Sequence, residues 1–238
     1  MSAQPRLAVI GGMGTLASAE FVRTIYEHTA EVAEQEAPPV LLWSDPSFPD
    51  RTSALLTGRS DLLVPPLQHA VEQCRALGAE EIVICCVTIH AVLPALPYDL
   101  RSRIVSLVDE LLEAAIAQRR RLLLLASTGT RRTGVIERHP LWSEASRWLC
   151  WPDDEDQGRV HEAIYAIKRN TGMAQAIELT QALLEKYAAD AFAVGCTEFH
   201  MLHKRWGDPP AGCVDPLDII ARRLAAAPAK TSSPAGAR

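Results

Sequence analysis

The stretch LAVIGGMGT, from Leu7 to Thr15, decides how this chain folds. Its first four residues are apolar, as in a short strand that is buried on both faces, and its glycines allow a tight turn after that strand. An amphipathic helix is predicted to follow, from about Thr15 to Glu34. The same order recurs in LLLLASTGT, from Leu122 to Thr130, whose last threonine lies 115 residues after Thr15.

Outward from these two segments, buried strands alternate with helices. Further strands are predicted at Val40 to Trp43, Ile82 to Cys85 and Phe192 to Val194. A polar loop is predicted from Ser44 to about Ser60, and helices are predicted at Leu62 to Leu77, Thr88 to Leu96, Gln157 to Asn170 and Ala174 to Ala188. This alternation predicts an α/β fold in which helices cover mainly parallel sheets. The last 14 residues, AAAPAKTSSPAGAR, have the composition of a disordered tail.

Two further pairs of segments repeat between the halves of the chain. ICCVTIH places its second cysteine at position 86, and VGCTEFH places its cysteine 110 residues later, at position 196. VDEL at positions 108–111 is echoed by VDPL at positions 214–217, an offset of 106 residues. Three matches in the same order predict two halves of similar fold.

The composition narrows the class of protein. A formal net charge of −5 gives no electrostatic reason to expect nucleic-acid binding. No apolar run is long enough to span a membrane, and the opening MSAQPRLAVIGG lacks the pattern of a signal peptide, so the cytoplasm is the expected location. Six cysteines without a CxxC pair argue against a zinc ribbon or a disulfide scaffold.

Cys86 and Cys196 are the cysteines placed to do chemistry. Each is predicted to lie between the carboxyl end of a strand and the helix that follows, where open parallel sheets bind their ligands. The helix N-terminus should lower the pKa of each thiol and favour a thiolate base. The other cysteines are interpreted as packing residues, with Cys85 directed into the opposite layer from Cys86: Cys74, Cys85, Cys150 and Cys213.

Two histidines and an arginine are candidates for supporting roles. His90 and His200 each lie four residues after one of these cysteines, and could tune its thiol, bind substrate, or only pack as hydrogen-bonded residues. Arg51, in SDPSFPDRT, carries a guanidinium fork that suits a carboxylate.

The glycine-rich turn has two interpretations. GMGTLA, at positions 12–17, fits the GxGxxG/A pattern of dinucleotide-binding proteins, and Asp45 stands where a ribose-binding acid is expected. The repeat of the Gly-Thr turn in STGT favours another use, in which backbone N–H groups hold a substrate carboxylate. Both interpretations stay open on the residues alone.

With these motifs the chain resembles the aspartate/glutamate racemase superfamily, in particular its aspartate racemase branch. The resemblance runs from Leu7 to about Leu224 and rests on GGMGTLAS, SxPSxPDRT, ICCVTIH, STGTRRTG, DDEDQGRVHEAI, VGCTE and VDPLDI. It implies two α/β domains related by a pseudo-twofold axis, at residues 1–100 with 206–238 and at residues 101–205, with the active site between them. It also implies no pyridoxal phosphate, no metal and a homodimer.

The resemblance implies roles for individual residues. Cys86 and Cys196 would be the two catalytic bases, and Glu198 would support the second of them. The residues implied to line the cleft and bind carboxylate groups are Met13, Gly14, Thr15, Arg51, Thr88, Thr128, Thr130 and Thr197.

Val87 departs from the pattern of the superfamily, which usually has asparagine directly after the first cysteine. Valine at this substrate-binding position cannot form the hydrogen bond that an amide would form. The segment Ser44-Asp45-Pro46 also lacks the amide that relatives often carry before the proline. Both changes favour a less polar or bulkier acid over aspartate or glutamate.

The leading hypothesis is a cofactor-independent racemase or epimerase that acts on an amino acid or a related carboxylic acid. A second hypothesis keeps the fold and makes the chain a cysteine-dependent isomerase or decarboxylase of a less polar acid. A third is an NAD-dependent enzyme or nucleotide-binding module that uses the glycine-rich turn, and a fourth is a non-catalytic binding protein.

Overall fold

The computed structural model describes residues 7–30 and 33–226. Its strands are β1 (Leu7–Gly11), β2 (Val40–Ser44), β3 (Glu81–Ile84), β4 (Ile104–Val105), β5 (Leu122–Ala126), β6 (Leu149–Cys150) and β7 (Ala191–Gly195). Its α-helices are α1 (Thr15–His28), α2 (Arg51–Leu56), α3 (Val64–Ala76), α4 (Tyr98–Arg101), α5 (Leu107–Gln118), α6 (Thr128–Thr133), α7 (Trp142–Ala145), α8 (Asp154–Lys168), α9 (Met173–Lys186), α10 (Glu198–Arg205) and α11 (Pro216–Ala226). Short 3-10 helices lie at Glu34–Glu36, Ser60–Leu62 and Thr88–Ala95.

Two parallel sheets organise the chain. The first has the strand order β2-β1-β3-β4, and the second has the order β6-β5-β7. Val214 forms a parallel bridge to Ala193, on the side of β7 that faces away from β5. The second sheet therefore repeats the order of the first, with residue 214 in the place of β4. The prediction of an α/β fold with parallel sheets covered by helices is confirmed.

The third repeat predicted from the sequence is in the wrong register. Val105 in β4 pairs with β3, and Val214 pairs with β7, so each lies beside the strand that leads to a cysteine turn. The counterpart of Val214 is therefore Val105, 109 residues earlier, and not Val108, which lies inside α5. In each half, the residue after this valine caps the helix that follows. The hydroxyl of Ser106 caps α5, and the carboxylate of Asp215 accepts an N–H from the first turn of α11.

Helix ends follow capping residues that the periodicity of the sequence did not reveal. The predicted loop after β2 contains α2, because the carboxylate of Asp50 accepts the N–H of Ser53 and starts a helix there. Helix α8 begins three residues before its predicted start, since Asp153 caps it. Helix α1 ends six residues early, because the hydroxyl of Thr29 donates to the carbonyl of Tyr26 and competes with the next turn.

The two halves share an apolar core. One cluster includes Leu7 of the first sheet and Leu122 of the second, and α11 packs against both α1 and α5. The predicted domain boundaries near residues 100 and 206 stay a prediction, although β4 pairs with β3 across the first boundary. Val214 likewise pairs with β7 across the second.

The central strands are buried along their whole length, as their unbroken apolar sequences predict. Every residue of β1, β5 and β7 is buried. Of the predicted disordered tail, the first two residues end α11, and the rest lies outside the described residues. Within the described ranges, no helix combines the length and apolar character that a membrane crossing requires.

Candidate active site

Cys86 and Cys196 face the same cavity. Cys86 follows β3 and Cys196 follows β7, so each stands between a strand and the next helical segment. Both line a narrow cavity of about 10 Å³, and each residue is 8% exposed. Cys85 is fully buried in a different apolar cluster from Cys86, as its place on the strand predicts. The structure thus brings together the two cysteines that the sequence singled out.

Cys196 has a carboxylate partner. Its Sγ lies 2.9 Å from Oε2 of Glu198, which is 2% exposed. Burial raises the pKa of the Cys196 thiol well above its ordinary value, and the charge of Glu198 raises it further. The prediction of a lowered pKa is therefore wrong for this cysteine, because desolvation and a neighbouring anion outweigh the helix N-terminus. Cys196 rests as a thiol that donates to Glu198.

His90 supports the backbone of Cys86 and does not contact its thiol. Nδ1 lies 2.9 Å from the carbonyl oxygen of Cys86, and Nε2 lies 3.1 Å from the N–H of Leu107, at the start of α5. Because one ring nitrogen meets an acceptor and the other meets a donor, the ring is neutral with its proton on Nδ1. Burial lowers the pKa of His90 to about 4, which keeps that form.

His200 is directed away from Cys196, into the protein. Its Nδ1 lies 2.7 Å from Oδ2 of Asp215, and its Nε2 lies 3.1 Å from the hydroxyl of Thr24. Asp215 also pairs with His203. Burial raises the pKa of Asp215, but the two histidines outweigh it and hold that pKa well below the usual range. His200 therefore contacts neither the thiol nor the cavity, and joins α10 to the start of α11.

Arg51 lines the cavity and keeps a donor free. The guanidinium is buried, and it donates to the carbonyl oxygens of Met13 and Pro49. Its Nε has no hydrogen-bond partner among the described residues. A buried guanidinium N–H without a partner is costly, so a carboxylate that entered the cavity would gain a strong interaction here.

Three hydroxyl groups join the two halves beside the thiols. The hydroxyl of Thr88 lies 2.9 Å from that of Ser127 and 2.8 Å from that of Thr130, and these two are 3.1 Å apart. Thr88 and Ser127 line the cavity with the cysteines, and Thr130 lies behind them, fully buried. The group offers donors that can turn toward a carboxylate in the cavity.

Two backbone donors of the second Gly-Thr turn are occupied. The N–H of Thr130 is taken by the hydroxyl of Ser127, 3.0 Å away, and the N–H of Thr128 points to Nδ1 of His161. These two of the N–H groups that were predicted to hold a substrate carboxylate therefore already have partners. Ser127 is the residue of this turn that lines the cavity.

The first glycine-rich turn lies against Glu198. A Cβ atom on Gly14 would come within 2.2 Å of Oε1 of Glu198, and Met13 beside it lines the cavity. A buried carboxylate at this helix start occupies the place where a pyrophosphate would need positive partners, which argues against the dinucleotide interpretation. Asp45 caps its own loop by accepting the N–H of Ser47, and Thr15 is exposed.

Val87 and Thr197 follow the two cysteines but do not line the cavity between them. Val87 has helical backbone angles and packs in the apolar core, 2% exposed. Its departure from the usual asparagine therefore changes the core beside Cys86 and not the wall of this cavity. Thr197 donates to the carbonyl oxygen of Cys85, 3.3 Å away, and so connects the two cysteine turns.

Helix α8 contributes residues that the sequence interpretation missed. Lys168 and Tyr165 line the cavity, with Nζ of Lys168 4.0 Å from Oε1 of Glu198 and 4.8 Å from the centre of the Tyr165 ring. The hydroxyl of Tyr165 donates to Oδ2 of Asp50 in the other half, 2.6 Å away. The signal was present as a polar stripe, because positions 161, 165 and 168 fall on one face of a helix.

A second cavity continues outward from the cysteines. It has a volume of about 240 Å³ and shares Met13, Arg51, Tyr165 and Lys168 with the inner cavity. Thr15 and Gly14 lie along it. The outer cavity is therefore the approach to the thiols, and the inner one is closed to anything larger than about one water molecule.

Comparison with known proteins identifies the family and the fold of this chain. The sequence profile of the Asp/Glu/Hydantoin racemase family matches residues 10–224. Among solved structures, aspartate racemase from Picrophilus torridus is similar at a TM-score of 0.77 and 22% identity, covering 92% of this chain and 91% of that one. An aspartate racemase homologue from Pyrococcus horikoshii is similar at a TM-score of 0.65 and 21% identity, covering 93% and 97%. A putative Asp/Glu racemase from Yersinia pestis is similar at 0.67 and 22%, covering 92% and 96%.

These likenesses in structure show a shared fold, and the profile match spans nearly the whole chain. They agree with the two parallel sheets covered by helices. The chain therefore belongs to the Asp/Glu/Hydantoin racemase family, and it is an isomerase of the racemase type.

Proposed function

We propose that this protein is a cofactor-independent racemase or epimerase that inverts the α-carbon of an amino acid or a related carboxylic acid. Cys86 and Cys196 act as the two acid/base groups. The observation that carries the proposal is that both thiols, from corresponding turns of the two halves, line one closed cavity with Arg51 and Lys168.

The two thiols divide the work between opposite faces of the substrate. In one direction the Cys86 thiolate takes the α-proton, and the electron pair of the C–H bond passes into an enediolate. The Cys196 thiol then gives its proton to the other face and keeps its bonding electron pair as a thiolate. In the reverse direction the roles exchange: Glu198, within hydrogen-bond distance, accepts the proton of Cys196, and the resulting thiolate takes the α-proton. Cys86, now protonated, gives its proton to the other face and keeps the bonding electron pair as a thiolate.

The charge that develops on the substrate needs fixed positive partners. Arg51, whose Nε–H has no partner among the described residues, and Lys168 both line the cavity, so these cations can hold a carboxylate and its enediolate form. The hydroxyls of Thr88 and Ser127 add donors on the side where the halves meet. Because these groups are already in place, and Arg51, Thr88 and Ser127 are buried, they stabilise the enediolate more than they would in solution.

Entry of substrate requires the halves to separate. A cavity of about 10 Å³ has no room for an amino acid, while the outer cavity of about 240 Å³ leads to it. A hydrogen bond from Tyr165 to Asp50 lies across the junction. We infer that this contact opens to admit substrate and closes again, which excludes water during proton transfer.

The test is exchange of the α-proton in D2O, followed by NMR and by chiral chromatography of candidate acids. Cys86→Ser and Cys196→Ser should each abolish inversion, and at most keep exchange with retained configuration. Cys150→Ser is the matched control, because that sulfur lies outside the cavity and its contact with the carbonyl of Leu122 survives in serine. Inversion that persists in either cavity variant would overturn the two-cysteine scheme. Loss of carbon dioxide from the substrate would instead identify a decarboxylase.

We also propose, from the family resemblance, that the protein acts as a homodimer in the cytoplasm. Sedimentation equilibrium should give twice the chain mass of 26.0 kDa. A species of 26.0 kDa at micromolar concentration would contradict the dimer.

A further inference from the structure

A second pocket lies behind the Cys86 turn, outside the cavity that holds the thiols. It has a volume of about 300 Å³, within the range of small-molecule sites. Its walls come from both predicted halves, with residues 90–94 from the first and residues 101–108 and 133–140 from the second. We call it the rear pocket.

The rear pocket is apolar inside and cationic around it. Leu93, Pro94, Val108 and Val135 supply apolar surface. Arg101 and Arg138 also line it, and neither guanidinium forms an ion pair with another described residue. An anion with an apolar body is complementary to such a site.

The other polar residues that line the rear pocket do not neutralise the two guanidinium groups. His139 lines it and pairs with the carboxylate of Asp109, which accounts for the nearby anion. Ser106 and Thr133 contribute hydroxyls, and His90 is neutral. Arg101 and Arg138 are thus the cations of the lining that form no ion pair with another described residue, although Arg101 lies over the Tyr98 ring and the charge of Arg138 acts on Glu137.

One side chain separates the rear pocket from the catalytic turn. His90 lines the rear pocket and is 6% exposed, and its Nδ1 holds the carbonyl of Cys86. Its Nε2 accepts the N–H of Leu107, at the start of α5. A molecule that shifted this ring would move the backbone of Cys86 directly, since both ring nitrogens are committed.

We propose that the rear pocket is a regulatory site for an organic anion with an apolar body, and that its occupancy changes the reactivity of Cys86 through His90. The regulatory part rests on the proposed function, whereas binding does not. A bound molecule would also contact α6, because Thr133 of this helix lines the rear pocket. Thr130 of the same helix is one of the three hydroxyl residues beside the thiols. The ligand therefore acts where the two halves meet.

Binding is tested by calorimetry with indole-3-acetate and with indole-3-acetamide, which has the same body without the charge. The acetate should bind about ten-fold more tightly, and Arg138→Gln should remove that preference while leaving the amide unchanged. Val135→Trp should fill the pocket and abolish both. Arg132→Gln is the control, because Arg132 is exposed and does not line the pocket. Arg138 is also exposed, so its variant tests the proposal even if Val135→Trp does not fold.

Coupling is tested by the rate at which iodoacetamide alkylates each cysteine, measured by peptide mass spectrometry. Saturating indole-3-acetate should change the rate at Cys86 at least three-fold, with Cys150 unchanged. Equal binding of acid and amide, or no binding at millimolar concentration, would overturn the site, and an unchanged Cys86 would overturn the coupling. A change of oligomeric state in the pocket variants would show a second copy as the occupant instead. If binding and coupling appear while α-proton exchange fails, only the racemase function has failed.

Discussion

The two cysteine turns occupy the same place in the two halves and have different neighbours. Two residues after Cys196 stands Glu198, whose carboxylate accepts from the thiol, and two residues after Cys86 stands Thr88, whose hydroxyl joins two others across the junction. One turn thus pairs its sulfur with an anion, and the other carries a neutral hydroxyl in the corresponding position. The difference teaches that two halves of similar fold can place two equivalent thiols while the residues beside them give each thiol a different electrostatic environment.

The largest expected effect comes from removing the anion from one turn. Glu198→Gln takes away the proton acceptor of Cys196, so kcat/KM should fall about 100-fold. It must fall equally for both enantiomers, because their equilibrium constant in water is one. Thr88→Val is the matched change in the other turn, and it should leave the pKa of Cys196 where it is.

The pH dependence of thiol alkylation can show the difference between the two turns, which the equal fall in kcat/KM for the two enantiomers does not show. Because the Glu198 charge raises the pKa of Cys196, its loss should move the alkylation profile of Cys196 toward lower pH. The profile of Cys150, which lies outside the cavity, should stay in place. If both profiles move together, the change does not act through the contact between Glu198 and Cys196.

A smaller effect is expected from the cation of the second half. Lys168 lowers the pKa of Cys196, so Lys168→Met should move that alkylation profile toward higher pH. It should also weaken substrate binding about ten-fold, as loss of one charge-assisted contact does. Lys204→Met is the control, since Lys204 pairs with Glu27 outside the cavity. A profile that stays unchanged would show that Lys168 does not act on this thiol.

The smallest effect is expected on stability, from the replacement of His90. Burial lowers the pKa of His90 from the ordinary 6.5 to about 4, so the unfolded chain binds the proton more readily. The contribution of His90 to the free energy of unfolding should therefore be fully present above pH 6.5 and should decline as the pH falls toward 4. His90→Gln should flatten this slope and cost about 1–3 kcal/mol at neutral pH, as measured by urea unfolding.

His69→Gln provides the comparison for that measurement. His69 is exposed and lies near Trp43, so its replacement should change stability by less than about 0.5 kcal/mol. It should also leave the decline between pH 6.5 and 4 intact. An undiminished slope in His90→Gln would mean that another group causes it.

The sequence was sufficient for the five longer strands and for the placing of both thiols, whereas the two-residue strands β4 and β6 were not predicted. Unbroken apolar strands that end in a turn with a cysteine leave few alternatives for where that side chain lies. Lys168 and Tyr165 were missed because their approach depends on how α8 packs and how the halves close, which no local pattern encodes. Val87 was expected at the substrate, but its helical backbone angles direct it into the core. Direction within a turn is set by backbone geometry that composition does not reveal.

The hydrogen bond from Tyr165 to Asp50 has a consequence for how often the enzyme is ready to receive a molecule. A bond to a charged group contributes about 1.5–3 kcal/mol, so breaking it alone would leave between about one molecule in ten and one in a hundred open at any moment. The apparent affinity for substrate equals the affinity of the open form multiplied by that open fraction, so it falls about ten-fold to a hundred-fold. Weakening the bond would raise the open population and let more water reach the enediolate. The strength of one contact thus balances the rate of arrival against the lifetime of the intermediate.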